Sequence, residues 1–179
     1  MNVNEAIKTR KSIRKYKNIE VPKEALLSVL EAGRLSPSGR NGQDWKFIVS
    51  TDPAIKDGLR EACMGQKCVV EAPVLIVVCS EIDNMMPCGQ NQGTVNCTFA
   101  TAFMTLQAVE LGLSSVLLGH FSVEKLKKVL NIPDELIPVT AITLGYANEE
   151  GRERVRKDLR DIVIIDGGNS KYNEKIDTE

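Results

Sequence analysis

The run Val74-Leu75-Ile76-Val77-Val78-Cys79 constrains this chain more than any other stretch. Six consecutive apolar residues, most of them β-branched, suit a strand covered on both faces, because alternate side chains leave on opposite sides. Such a strand needs a sheet with packing layers above and below it. Helical spacing of apolar residues recurs on either side of the run, so the chain can supply those layers. A length of 179 residues is enough for one core and short for two. We therefore expect a single domain over 1–179, a mixed sheet flanked by helices, with a core over about 3–165 and a polar tail over 166–179.

Local signals fill in the order of elements. Asn2 or Asn4 caps a short helix containing Val3, Ala6 and Ile7. Pro22 opens a helix whose buried face is Leu26, Val29, Leu30 and Gly33, and the turn formers Ser36-Pro37-Ser38-Gly39 stop it. Trp45–Ser50 alternates as a strand, and Asp52-Pro53 opens a helix toward Cys63 with Ile55 and Leu59 inward. Thr94–Leu111 is the longest helical pattern, ended by Gly112. Its apolar residues Val95, Phe99, Ala102, Phe103, Leu106 and Val109 wrap widely, as in a core helix or a subunit interface. Ser115–Leu118 and Pro138–Leu144 read as strands, Val123–Leu130 as a helix capped by Ser122, and Ile162–Ile165 as a short final strand.

Composition excludes several partners. A formal net charge of -1 gives no global attraction to nucleic acid or anionic membrane. The polar N-terminus lacks a signal-peptide core, and no apolar run is long enough to span a bilayer, so cytoplasmic residence is the expectation. The five cysteines (Cys63, Cys68, Cys79, Cys88, Cys97) contain no CxxC pair and are expected to be reduced thiols without metal duty. There is no P-loop, GxGxxG fingerprint, HExxH helix or hydrolase triad. An enzyme made from this chain would leave the difficult chemistry to a bound cofactor.

Four polar constellations remain. Arg10, Ser12 and Arg14 alternate, so an extended backbone would turn all three to one side, two guanidiniums flanking a hydroxyl. That makes a cradle for a phosphate or a polar ring edge, although the stretch alone also fits a solvated helix end. The loop Ser36–Trp45 is rich in hydroxyls, amides and free N–H groups, and also reads as a plain helix-to-strand connection. Leu118-Gly119-His120 ends a strand, with a glycine that lets a flat ligand approach and the only histidine, itself as compatible with packing as with a substrate role. Arg154 and Arg156 repeat the alternate-residue pattern near the C-terminus, where a solvated linker is the competing reading.

Taken in order, these features resemble the nitroreductase family. Arg10-Lys11-Ser12-Ile13-Arg14 resembles its Arg-x-Ser-x-Arg signature, and Pro37-Ser38-Gly39-Arg40-Asn41-Gly42-Gln43-Asp44-Trp45-Lys46-Phe47 its Pro-Ser-x-x-Asn-x-Gln-Pro-Trp-x-Phe segment, with Asp44 in the place of proline. Gly65-Gln66 before Ala72-Pro73, the helix ending Glu110-Leu111-Gly112, and Arg154-Val155-Arg156-Lys157 continue the likeness. The resemblance implies an α+β nitroreductase-like fold, a mixed, mostly antiparallel sheet flanked by helices, with C-terminal segments exchanged across a homodimer. It implies FMN held by Arg10, Lys11, Ser12 and Arg14, with Arg154 and Arg156 completing the phosphate grip. Pro37, Ser38 and Asn41 would reach an FMN held mainly by the other subunit, and Gln66 the polar flavin edge. The backbone of Leu118, Gly119 and His120 would lie beside the flavin's reactive face. The implied activity is alternating two-electron transfer from NADH or NADPH to a small-molecule oxidant such as a nitroaromatic or quinone. Another flavin reaction on the same fold, or a non-catalytic FMN-binding or regulatory role, are the alternatives. The rim formed by Ile82–Gly93, with Met85, Met86, Pro87 and Cys88, is this chain's own.

Overall fold

A computed structural model describes residues 1–164; Ile165 and the polar tail over 166–179 lie outside the described residues. The apolar run forms β2 (Val74–Ser80), which is buried at every position. Its side chains divide as the pleat requires. Val74, Ile76 and Val78 enter one core with Val29, Cys97, Ala100, Met104 and Ala108. Leu75, Val77 and Cys79 enter a second core with Leu59, Ala62, Val116 and Leu126. Two layers of helix therefore sandwich one sheet.

β2 lies between β1 (Trp45–Ser50) and β4 (Ile137–Gly145), and β3 (Ser114–Leu118) follows β4, giving the order β1-β2-β4-β3 with antiparallel neighbours. A parallel rung between Ser12 and Ser115 extends the sheet past β3, so the N-terminal segment is its outermost element on that side. This is the mixed, mostly antiparallel sheet of an α+β protein. Helices α2 (Lys23–Arg34) and α5 (Gln92–Glu110) cover one face. Helices α3 (Lys56–Ala62), α4 (Cys68–Glu71) and α6 (Val123–Leu130) cover the other. The first helix, α1 (Val3–Thr9), starts in a capping box: Asn2 Oδ1 accepts from the Glu5 N–H while Glu5 accepts from the Asn2 N–H.

Two expectations need correcting. The six apolar residues of the long helix are not its core face. Phe99, Ala102 and Phe103 are exposed and Val95, Leu106 and Val109 only half-buried, while Asn96, Cys97, Ala100, Thr101, Met104, Thr105 and Ala108 face inward. Small side chains let α5 approach the sheet closely, which leaves its bulky apolar residues outward. The final strand also fails to form over the described residues 162–164. A 3₁₀ turn at Leu159–Asp161 precedes them, the edge of β3 is already taken by Ser12 and Ile13, and Ile162 and Ile164 stay exposed.

Candidate functional site

The basic segment is held extended by the sheet. Ser12 bridges to Ser115, and the Ile13 N–H donates to the Ser115 carbonyl at 3.1 Å. Ile13 is buried in the core, so its neighbours Ser12 and Arg14 turn the other way, as alternation demands. Both line a cavity of about 600 Å³ together with Gln66, Lys67, Glu149 and Arg152. Gln66 Nε2 donates to the His120 carbonyl at 3.0 Å, which ties that wall to the end of β3. Gly119 and His120 are exposed beyond the buried Leu118, and a side chain built on Gly119 would meet no protein atom within 4 Å. Neither packing nor a left-handed backbone requires glycine there, and the space beside it is open.

Arg10 is not on that cavity wall. It caps the C-terminus of α1 and is paired in space with the far end of the chain. Burial first, then the Arg154 and Arg156 guanidiniums, lower its affinity for its proton below the ordinary arginine range. Arg154 donates from Nη2 to the Ile7 and Lys8 carbonyls, so it fastens the chain's C-terminal arm to the last turn of α1. The negative end of that helix dipole offsets part of the mutual repulsion. Among the described residues none of Arg10, Arg14, Arg154 or Arg156 forms a salt bridge. Three guanidiniums within electrostatic reach of one another, with no salt bridge among the described residues, suit a dianionic phosphate, which would supply the missing charge. Lys11 points elsewhere, its Nζ donating to the Glu150 carbonyl at 3.1 Å.

Pro37, Ser38 and Asn41 stand apart from both groups. They precede β1, and that strand lies four spacings, roughly 19 Å, from the Ser12 rung across the sheet. The loop is tightly specified. Arg40, Asn41 and Gln43 all have left-handed backbones, at φ of 54°, 56° and 53°. Ser38 Oγ accepts from the Gln43 N–H at 3.1 Å, and buried Asn96 of α5 accepts from the Gly39 N–H at 3.0 Å. Asp44, where the resemblance expected proline, uses its carboxylate: Asn96 Nδ2 donates to Oδ1 at 2.7 Å. Gly39 and Arg40 also line a cavity of about 700 Å³ with Met85, Met86 and Cys88.

Sequence spacing missed Lys67, Glu149 and Arg152 as cavity walls. Lys67 adjoins Gln66, and Arg152 belongs to the same basic run as Arg154, so adjacency was the available signal for those two. Glu149 had none, because only the long-range pairing of Tyr16 with Ala147 brings it to Arg14.

Known proteins resemble this chain in sequence and in fold. The family model described as "Nitroreductase family" matches residues 7–73 and 66–146. A Methanothermobacter thermautotrophicus protein provisionally named NADH dehydrogenase/NAD(P)H nitroreductase is 35% identical over 153 residues, covering 83% of this chain and 79% of its own length. The crystal structure of a nitroreductase family protein from Clostridium difficile superimposes with a TM-score of 0.82 at 30% identity, over 93% of this chain and 99% of that one. A provisionally named nitroreductase of Desulfovibrio desulfuricans, solved in complex with FMN, gives 0.79 at 29% identity, over 91% and 95%. Family model, sequence identity and overall shape agree, and this chain belongs to the nitroreductase family.

Proposed function

We propose that this protein binds FMN in two sites at a homodimer interface and carries electrons from NADH or NADPH to an electron-poor small molecule such as a nitroaromatic or a quinone. The observation that carries the proposal is the cluster of Arg10, Arg154 and Arg156, which forms no salt bridge among the described residues and lies two residues along the chain from cavity walls on both sides. FMN, when bound, would supply two-electron hydride chemistry that no side chain here provides. The chain's own work is binding and orientation. Arg10, Arg154 and Arg156 take the phosphate. Ser12, Arg14 and Gln66 address the polar edge of the ring, and the backbone at Leu118, Gly119 and His120 leaves one side open to a second reactant.

A second copy of the chain completes the site. Pro37, Ser38 and Asn41 lead into β1, the edge strand opposite the Ser12 rung, and none of them lines the cavity of Ser12 and Arg14, which supports their service to a partner. Phe99 and Phe103 of α5 and Val3 and Ile7 of α1 expose an apolar face suited to a self-complementary contact. In the C-terminal arm Val155, Leu159, Ile162 and Ile164 are exposed as well, which supports an arm that crosses to a partner.

The test is spectroscopic. FMN-loaded protein mixed anaerobically with NADH or NADPH should lose its visible flavin band in a stopped-flow trace, and light scattering should return the mass of two chains. A flavin that neither nucleotide bleaches ends the oxidoreductase proposal, and a one-chain mass ends the shared site.

A further inference from the structure

The N-terminal segment changes partners at residues 14 and 15. Up to Ile13 its backbone is bonded to Ser115 of β3. From Lys15 onward it is bonded to the stretch after β4: the Asn148 N–H donates to the Lys15 carbonyl at 2.9 Å, the Lys17 N–H to the Tyr146 carbonyl at 2.9 Å, and Tyr16 bridges to Ala147. At such a changeover N–H groups lose their backbone acceptors, and each needs another. One carboxylate serves two of them. Glu149 Oε1 accepts from the Arg14 N–H at 2.6 Å and from the Lys15 N–H at 3.2 Å. The next N–H, of Tyr16, reaches Glu71 Oε2 at 3.4 Å.

The joint matters because of what lies on either side of it. Ser12 and Arg14 line the cavity, while Glu149 begins the stretch that runs through Arg152 to Arg154 and Arg156. Gly151, with φ of 72°, brings that stretch so close to Ile13 and Lys11 that a Cβ there would clash with Ile13. The two basic groups, far apart in sequence, thus meet through this ribbon. A carboxylate beside Arg14 and Lys15 is electrostatically adverse to an incoming anion, so attraction does not account for it. We propose that Glu149 is a positioning residue for the FMN site, locking the Arg10–Arg14 strip to the arm of Arg154 and Arg156 through its two backbone hydrogen bonds. The inference rests on the FMN reading given above.

Charge and geometry predict opposite signs for the same substitution, which makes the test decisive. Glu149→Ala removes the acceptor and the repulsive charge together, whereas Glu149→Gln removes the charge and keeps an acceptor. Glu149 is only half-buried, so both variants should fold. With the clamp at work, Glu149→Ala weakens FMN binding roughly tenfold and Glu149→Gln stays within about twofold of the parent. In flavin-free protein the Arg14 and Lys15 amides of Glu149→Ala should exchange hydrogen roughly tenfold faster, with Glu149→Gln close to the parent. Tighter or unchanged FMN binding by Glu149→Ala, unchanged exchange at those amides, or a Gln variant as weak as the Ala variant would each overturn the proposal. Failure of the parent protein to bind FMN would instead overturn the functional reading, while the exchange measurement would still decide whether the clamp exists.

Discussion

The two edges of this sheet are built from opposite materials. Beyond β3 the chain gathers Arg10 and Arg154, half-buried, and Arg14 and Arg156, exposed, all without ion pairs among the described residues. Ahead of β1 it sets a loop of hydroxyls and amides, with three left-handed residues and a buried Asp44–Asn96 pair behind it. The first edge stores electrostatic repulsion that an anion relieves. The second stores backbone strain, held by buried hydrogen bonds, and its positions are fixed before any ligand arrives. A ligand with a charged end and a neutral, hydrogen-bonding end would use both, one from each of two subunits.

The largest effect should come from the charged edge. Arg10→Ala combined with Arg156→Ala removes two guanidiniums from the cluster, each worth about 1.5–3 kcal/mol in bonds to a charged group. FMN affinity, followed by flavin fluorescence, should fall by roughly 100-fold or more. Riboflavin, which lacks the phosphate, should lose far less. Equal losses for both flavins would move the cluster away from the phosphate. Because Arg10 carries the cost of burial and then of its like-charge neighbours, the flavin-free double variant should melt no lower than the parent.

The second edge should respond in the other currency. Asn96 is almost wholly buried and bonds both the Gly39 N–H and Asp44 Oδ1. Asn96→Ala strands these groups at a cost of about 2–3 kcal/mol, read as a lower midpoint in urea unfolding. Without that anchor the left-handed residues lose part of what holds them, so FMN retention should fall modestly, with no change in the ratio of FMN to riboflavin affinity. A change in that ratio would break the division of labour between the edges.

How much of this was legible depends on whether a feature is local. β2 could be read directly, since six apolar residues in a row admit few other fates, and Ser122 and Asn2 announce their helices by capping chemistry. α5 misled for a physical reason. Hydrophobicity singles out Phe99 and Phe103, yet closeness to the sheet selects Ala100, Thr101, Thr105 and Ala108, and a solvated or partner-covered face cannot be told from a core face by spacing. Helix α4, at four residues, is too short to carry a period. Alternation set Ser12 and Arg14 on one cavity wall as read, but not Arg10, which lies at the end of α1 off that wall. The bonds of Glu149 to Arg14 and Lys15 were not legible, because they exist only once residues far apart in sequence pair.

The smallest effect concerns a thiol on the loop edge. Cys63, Cys68, Cys79 and Cys97 are buried, and Cys88 is exposed. Burial pushes the Cys63 and Cys79 thiols up to about 11 and, with the Asp44 charge adding to it, that of Cys97 to about 12. At pH 8 these groups stay protonated and shielded, so a disulfide reagent should find one fast thiol per chain, and Cys88→Ser should abolish the fast phase. Cys88 shares its cavity with Gly39 and Arg40, beside the loop proposed to reach a partner's flavin. If the proposed shared site holds, loading the protein with FMN should therefore slow its labelling by about twofold or more. A second fast thiol would mean that a core layer opens readily. An unchanged rate with FMN would detach the Cys88 cavity from the flavin and confine the proposed reach to a partner to the loop itself.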